Sequence, residues 1–152
     1  MKPQPLTEEH LPAAVALAAA AFANSVAYVS ICPDAHRRRE FLEWLFTVNA
    51  RRGMEHGYAR CVVSDEGEVI CFFLLEPPGI PKMSTWDMIR AGLLGAAWRF
   101  GLASTRRLVA TKDYFEASER RVLGARTGKV SRLNRLTVLP ARQGQGIGST
   151  AV

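Results

Sequence analysis

The residues of this chain with the clearest chemical use are three glycines at alternate positions, Gly144, Gly146 and Gly148. They follow a strand-like run at 133–139. Glycine lets consecutive backbone N–H groups turn toward one point, and it lets a phosphate approach without meeting a Cβ atom. A helix beginning near Ser149 would add further free N–H groups. The order of strand, glycine loop and helix predicts a site for a phosphate-bearing ligand.

Two common nucleotide-binding motifs do not fit this loop. A dinucleotide fingerprint continues into a βαβ unit with an acidic residue about 20 positions further on, and the sequence ends at Val152 before either. A P-loop has Lys and then Ser or Thr after its glycines, and that pair is missing. The loop therefore predicts a different phosphate-bearing ligand.

The loop and its strand resemble the acetyl-CoA-binding motif of the GNAT family of N-acetyltransferases. That motif is Gln/Arg-x-x-Gly-x-Gly/Ala, and Gln-Gly-Gln-Gly-Ile-Gly at 143–148 fits it. It follows a strand ending in Leu-x-Val-x-Pro, which Leu-Thr-Val-Leu-Pro at 136–140 matches. The order of the upstream segments looks like the puromycin-acetyltransferase-like branch, with an Ala-rich first helix, a Pro-Asp helix start and a hairpin.

The resemblance implies an α+β fold, a GNAT-like mixed sheet flanked by helices. Residues 1–152 would be a single, partial N-acetyltransferase domain with its acetyl-CoA motif at 133–152. The family continues after the motif with the rest of a helix, further strands and a fourth helix. We therefore expect a domain that is truncated after the motif and incomplete at the C-terminus, with the strand at 133–139 as an exposed sheet edge.

The resemblance also implies acetyl-CoA as the acyl donor and the amine of a small molecule as the acceptor. The pyrophosphate would sit on the loop amides and the pantetheine arm along the strand, with the Val138 backbone amide donating to the thioester oxygen. Arg142 is well placed to meet a phosphate, and Ile147 is expected to pack inward. The cofactor-binding residues so implied are Leu136, Thr137, Val138, Arg142, Gln143, Gly144, Gln145, Gly146, Ile147, Gly148 and Ser149.

Groups for proton transfer are harder to find. Where the family often carries a carboxylate, this strand has Asn134 and Arg135. Glu76, at the end of an earlier strand, is the one carboxylate there that could face the cleft and is a catalytic candidate; a solvated edge residue is the alternative. The family's tyrosine on a fourth helix has no counterpart, because Tyr58 and Tyr114 do not match its position.

Composition indicates one core of ordinary size, with 48% hydrophobic residues and a net charge of +6. A basic chain attracts nucleic acid, membrane surfaces and polyanionic cofactors alike. The arginine pairs and triplets, such as the one at 37–39, are predicted to lie on solvated helix faces. Aromatic residues are not interleaved with them and no segment is a credible membrane span, so neither a nucleic-acid nor a membrane partner is expected.

The three cysteines, Cys32, Cys61 and Cys71, have no metal-ligand spacing, so no metal site is predicted. A hairpin turning near Gly67 would place Cys71 opposite Val62, which disfavours a Cys61–Cys71 disulfide. A reduced, cytoplasmic protein follows.

An apolar run at 11–23 ends in Ala-Phe-Ala and is similar to a signal-peptide core. Glu8 and Glu9 stand where a signal peptide has positive charge, which favours an ordinary first helix.

Periodicity and turn signals predict the elements that position these residues. Helices are expected at 7–23, from Asp34 to 52, from Ser84 to 100, and from a Thr111 cap to 123. Strands are expected at 58–64, 68–75 and 133–139, with no element assigned to 24–33.

Three functions remain open: an acetyl-CoA-dependent N-acetyltransferase, a catalytically inactive remnant that at most binds CoA or folds only as a dimer, and a basic nucleic-acid-binding module. The exposed sheet edge also predicts a homo-oligomer.

Overall fold

The computed structural model describes residues 2–151, with the side chain of Thr85 excepted. Seven helices and four strands follow one another along these residues. The strands are β1 (Gln4–Pro5), β2 (Ala59–Val63), β3 (Val69–Glu76) and β4 (Arg132–Val138). The helices are α1 (Leu11–Phe22), α2 (Val26–Ile31), α3 (Ala35–Glu55), α4 (Thr85–Arg90), α5 (Leu93–Phe100), α6 (Leu102–Leu123) and α7 (Ile147–Ala151).

The four strands form one sheet in the order β1-β2-β3-β4, and all three pairings are antiparallel. The predicted α+β class is confirmed, but the sheet in residues 2–151 is antiparallel and not mixed. The helical connection α4–α6 explains this difference. It returns the chain to the end of the sheet that β3 has just left, since Glu76 at the end of β3 pairs with Arg132 at the start of β4.

The β2–β3 hairpin has the predicted register. Gly67 turns the chain with φ +86, a conformation that residues with a Cβ atom rarely adopt. Val62 then lies opposite Cys71, as predicted, and Cys61 lies opposite Phe72. Neighbouring positions face opposite sides of a sheet, so the two cysteines point apart, and all three cysteines are free and buried.

The two faces of the sheet have different covers. One face, called the helix face here, carries Phe72 and Leu74 and packs against α1 and α3 in the main core. The other, the outer face, carries Cys71 and Phe73 and packs against Ala151 of α7. The apolar run at 11–23 is thus largely α1, whose buried side chains belong to the main core. Within residues 2–151, no helix combines the length and the apolar character needed to cross a membrane.

Helix starts follow their sequence signals where a side chain caps them. Asp34 accepts a hydrogen bond from the Arg37 backbone N–H at 2.8 Å, and Ser84 forms a capping box with Asp87. One short helix is missing from the prediction. The segment 24–33, to which no element was assigned, contains α2.

The predicted helix from 84 to 100 is broken, because Gly92 adopts φ +98 between α4 and α5. Another glycine with positive φ, Gly101 at +89, precedes α6, which therefore begins at Leu102. The Thr111 cap is wrong, since Thr111 lies inside α6.

One arginine of the triplet at 37–39 is buried, which corrects the prediction that all lie on a solvated face. The Arg38 side chain donates from Nε to the Ala23 carbonyl at 2.7 Å. Its Nη1 donates to the carbonyls of Cys32 at 2.9 Å and Pro33 at 2.7 Å. Arg38 therefore ties α3 to the chain segments that flank α2.

Candidate functional site

The outer edge of β4 is open. Within residues 2–151 its only strand neighbour is β3. The Leu139 N–H donates to the Ile70 carbonyl at 2.8 Å, which fixes which residues of β4 bond to β3. Bonded and non-bonded pairs alternate in an antiparallel ladder, so the N–H and C=O groups of Leu136 and Val138 point toward the open edge. The strand therefore offers unused backbone donors and acceptors to a ligand.

The glycine loop presents a run of free donors directly after this strand. Gly144 and Gly146 adopt φ +77 and +74, and apart from the chain neighbours no residue lies within 4 Å of a Cβ atom built on either. The backbone N–H groups of residues 144–149 have no acceptor anywhere in the described chain, 2–151. Six consecutive free amides with open space above two glycines can hold an anionic oxygen cluster such as a phosphate.

Side chains hold the loop against the strand. Gln143 Nε2 donates to the Val138 carbonyl at 3.1 Å, which links the loop to the end of β4. The hydroxyls of Ser149 and Thr150 both donate to the Gly146 carbonyl, at 3.1 and 2.9 Å. The Gly146 carbonyl is therefore occupied by donors from the following helix, while the amides of residues 144–149 keep no acceptor within residues 2–151.

The other predicted cofactor residues divide into two groups. Ile147 packs into the outer-face core, as predicted, and a Cβ atom on Gly148 would contact Val138 Cγ2 at 3.5 Å. Ile147 and Gly148 therefore pack the loop against the outer-face core and β4. Thr137 is buried, and its hydroxyl donates to the Phe72 carbonyl at 3.1 Å. Its side chain therefore braces β4 against β3 instead of facing the open edge.

Arg142 lies near the β2–β3 turn. The hydrogen bond from Ser64 is the main cause of a lowered pKa at Glu66, and the positive charge of Arg142 contributes in the same direction. Arg142 is half-buried, and its guanidinium is assigned no hydrogen bond within residues 2–151. It therefore remains available to a phosphate on the neighbouring loop.

A cavity of about 800 Å³ opens on the helix face of the sheet, a volume typical of small-molecule sites. Its walls are α2, α3, α6 and the first half of β4, from Arg132 to Leu136. Most of the lining is apolar or aromatic, including Tyr28, Trp44, Met83, Met88, Leu108 and Phe115. The cavity therefore meets the open strand at Leu136, two residues before Val138.

Four side chains form a charged cluster at one end of this cavity: Glu76, Lys82, Glu119 and Arg132. Arg132 contacts Glu76 at 2.7 Å and Glu119 at 2.8 Å, and Lys82 contacts Glu119 at 2.9 Å. The Glu76 side chain is only 7% exposed. Glu76 thus lines the cavity as a buried, paired carboxylate, and the alternative of a solvated edge residue is wrong.

Burial and the charges of this cluster shift the pKa values of Glu119 and Tyr58. Burial acts to raise the pKa of Glu119, but the hydrogen bond from Lys82 and the charge of Arg132 outweigh it and hold that pKa below its ordinary value. Burial raises the pKa of Tyr58, and the negative charge of Glu76 raises it further. The Tyr58 hydroxyl therefore stays protonated at neutral pH and can act as a hydrogen-bond donor in the cavity wall.

The register separates Glu76 from the strand amide that was expected to hold the thioester. Glu76 pairs with Arg132, whereas Val138 pairs with Cys71 at the other end of β4. Six residues of strand correspond to roughly 20 Å, which is too far for direct proton transfer between the two positions. The structure thus brings together the glycine loop and Val138, and it leaves Glu76 at the far end of the cavity.

Sequence reasoning missed the charged cluster around Glu76, because its members Arg132 and Glu119 come from β4 and α6. Lys82 and Glu119 are 37 residues apart, so no local pattern connects them. The period-two alternation of a strand could have found Arg135: it shares the helix face of β4 with buried Thr137 and therefore points into the cavity.

The chain matches no protein-family profile, and no curated protein matches it in sequence. The assignment of function accordingly rests on the geometry of the loop, the open strand and the cavity.

Proposed function

We propose that the chain binds acetyl-CoA at the glycine loop and the open edge of β4, and transfers the acetyl group to the amine of a small molecule held in the cavity. The run of free amides at 144–149, directly after the open strand, carries this proposal. The pyrophosphate would accept hydrogen bonds from these amides, with Arg142 supplying a positive charge beside them. The α7 helix contributes less, because Ile147–Ala151 is little more than one turn.

The pantetheine arm would lie along β4 as an added strand does. Its amides can pair with the outward N–H and C=O groups of Leu136 and Val138. The carbonyl of Val138 already accepts from Gln143, so its N–H is the free group at that position. That N–H would donate to the thioester oxygen as negative charge develops there, an interaction worth about 3 kcal/mol in other enzymes.

The reaction joins the two halves of the site. The neutral amine attacks the thioester carbonyl carbon, a C–N bond forms, and the C–S bond breaks. The nitrogen loses one proton, and the departing thiolate takes one up, so the charge balances. The cavity, which reaches the strand at Leu136, supplies the direction from which the amine approaches.

CoA binding without turnover is the second candidate, and the position of Glu76 favours it. The carboxylate is roughly 20 Å along the sheet from Val138 and is already paired with Arg132. β4 itself carries no carboxylate. Steady-state assays would separate the two: an acetyltransferase releases free CoA in proportion to acetylated amine, whereas a binding protein saturates with acetyl-CoA and releases none.

A second copy of the chain is a competing occupant of the open edge. An unpaired strand edge can add a strand from another copy, and that pairing would use the same Leu136 and Val138 groups as pantetheine. Acetyl-CoA is therefore expected to reduce self-association, which sedimentation velocity with and without the cofactor measures. Association unchanged by saturating cofactor would argue against a shared edge. We also propose a cytoplasmic location, where three buried free thiols stay reduced.

Calorimetric titration with acetyl-CoA tests the proposal, using Gly146→Glu and a matched control, Gly128→Glu. Gly146 and Gly128 have φ +74 and +76, and both have open space around a built Cβ atom. The two substitutions therefore impose the same backbone strain and the same charge change, but only Gly146→Glu places a carboxylate in the phosphate site. We expect binding by the wild type and Gly128→Glu and none by Gly146→Glu. Equal binding by both variants would refute the site.

A further inference from the structure

Arg135 has an unusual environment on the helix face of β4. Its Nη1 donates only to its neighbour Asn134, at 2.7 Å to the backbone carbonyl and 2.6 Å to Oδ1. The guanidinium carbon lies 6.0 Å from the centre of the Phe46 ring. Within residues 2–151, Arg135 Nε is the single buried side-chain nitrogen or oxygen without a hydrogen-bond partner. A buried donor left unpaired costs stability, which indicates a group whose partner arrives with a ligand.

The other cations of the cavity are already committed. Lys82 and Arg132 pair with carboxylates of the charged cluster, and Lys112 contacts Glu116 at 2.8 Å. Arg52 donates to the Pro81 carbonyl. The lining holds five cationic and three acidic side chains, so the cavity has two more positive than negative charges. Among these five cationic side chains, Arg135 is the one whose only hydrogen-bond partner is its sequence neighbour Asn134.

A bulge lies directly before Arg135, which lies on the helix face of β4 together with Thr137. Leu74 pairs with Arg135 and Leu75 with Leu133, so Asn134 is an extra residue on β4. Bulges bend a strand and redirect side chains. Arg135 lies three residues, roughly 10 Å, from Val138 along the strand. A long guanidinium side chain on that position can therefore meet a group a few bonds away from an amine poised at the thioester.

We propose that the acceptor amine also carries a carboxylate, which Arg135 binds through its guanidinium, while an apolar group fills the cavity. The inference rests on the proposed acetyl transfer and names its acceptor class: amino acids with apolar or aromatic side chains. A planar guanidinium matches carboxylate geometry, and its free Nε completes the pairing. The phosphates of the cofactor are not the partner, since no residue of the described loop, 140–151, lines the cavity.

Three pairs of probes, with and without a carboxylate, test the acceptor class: L-phenylalanine with 2-phenylethylamine, L-tryptophan with tryptamine, and L-leucine with 3-methylbutylamine. Calorimetry on the full chain, with and without excess CoA, measures the affinity for each. We expect at least one amino acid to bind about 10- to 100-fold more tightly than its decarboxylated partner. Equal affinities in every pair, or no binding by any amino acid, would overturn the proposal.

Variants then locate the preference. Arg135→Gln should remove it, Arg135→Lys should keep part of it because a point charge remains, and Arg121→Gln, an exposed arginine of α6 outside the cavity, should leave it intact. Circular dichroism and a thermal transition confirm that each variant is folded, and Arg135→Lys retains the charge if Arg135→Gln does not fold. A preference that survives in a folded Arg135 variant lacking the charge, or that is lost equally in Arg121→Gln, would refute the assignment.

The outcome is separable from that of the proposed function. Acetyl-CoA affinity is measured independently with Gly146→Glu, in the absence of any amine. If acetyl-CoA does not bind but the carboxylate preference is present and depends on Arg135, acetyl transfer fails and the amino-acid site stands. If acetyl-CoA binds and the preference is absent, the acceptor class fails alone.

Discussion

Replacing Arg38 with Met should destabilise the chain far more than the same change at its neighbours Arg37 and Arg39. The three residues have identical side chains and adjoin in one helix, but only Arg38 is buried, at 7% exposure. Met preserves much of the apolar stem and removes the guanidinium. The comparison therefore isolates the hydrogen bonds of one charged group from the general effect of losing a positive charge.

The magnitude follows from the three carbonyls that lose their donor. The bond to Cys32 is buried and should contribute about 2–3 kcal/mol, as hydrogen bonds to charged groups do. The bonds to Ala23 and Pro33 are part-buried, so water can replace the donor and each contributes about 0.5–1 kcal/mol. We expect a total loss of about 3–5 kcal/mol. Arg39→Met should cost no more than about 0.5 kcal/mol, since its pair with Glu43 is solvent-exposed.

Urea unfolding of the three variants measures these differences, and limited proteolysis gives a second readout. Arg38 anchors both flanks of α2, so its loss should open the segment 24–33 to cleavage before the rest of the chain. Because Tyr28 and Ile31 of α2 line the cavity, ligands of the cavity should also bind more weakly. A loss below about 1 kcal/mol, or equal losses in all three variants, would refute the role assigned to Arg38.

Two further outcomes follow from the site. The lowered pKa of Glu119 contributes stability above the ordinary carboxylate pKa of about 4.3, and this contribution is lost as the pH falls through the lower folded value. Unfolding free energy should therefore fall more steeply with acid in the wild type than in Glu119→Gln; parallel pH profiles would contradict this. Val138→Pro should keep the fold, because the lost N–H faces the open edge, yet reduce acetyl transfer about 100-fold. Thr137→Pro removes an N–H group that bonds to β3, so it should unfold the sheet. A Thr137→Pro variant more stable than Val138→Pro would show that Thr137, and not Val138, has its N–H group at the open edge.

The features that the sequence predicts correctly depend only on residues that are close together in the chain. The Ser84–Asp87 capping box needs only a three-residue spacing, and the turn at Gly67 fixes the pairing of Val62 with Cys71. The glycine loop is equally local, because its φ values depend on the glycines themselves. Local chemistry of this kind acts the same way in most tertiary settings.

The features that sequence did not reveal depend on distant contacts. In the sequence, Arg38 is one of three arginines predicted to be solvated; its burial depends on carbonyls from the segments that flank α2. The sequence around Glu76 indicates a solvated strand end, because its partner Arg132 lies on β4, beyond the whole α4–α6 connection. Burial and pairing of this sort are set by topology, which periodicity alone does not specify.

Helix boundaries failed for a more specific reason. Gly92 lies inside the helix predicted from 84 to 100, but it adopts positive φ and divides that helix into α4 and α5. Gly101, also at positive φ, ends α5 and lets α6 begin nine residues before the predicted Thr111 start. A threonine such as Thr111 is common at a helix start, yet in the middle of α6 its signal is overridden by the continuing helix. The missed α2 is a six-residue helix held by Arg38, so its stability is tertiary and not local.

Backbone amide NMR during titration with acetyl-CoA tests the central claim most directly, because it observes the donors themselves. We predict that the amide signals of residues 144–149, together with Leu136 and Val138, shift as the cofactor binds, while Gly79, beyond the far end of β3, and Thr137, bonded to β3, respond least. Shifts that cluster elsewhere, or binding that leaves the amides of 144–149 unchanged, would show that the loop and the open strand do not hold the cofactor.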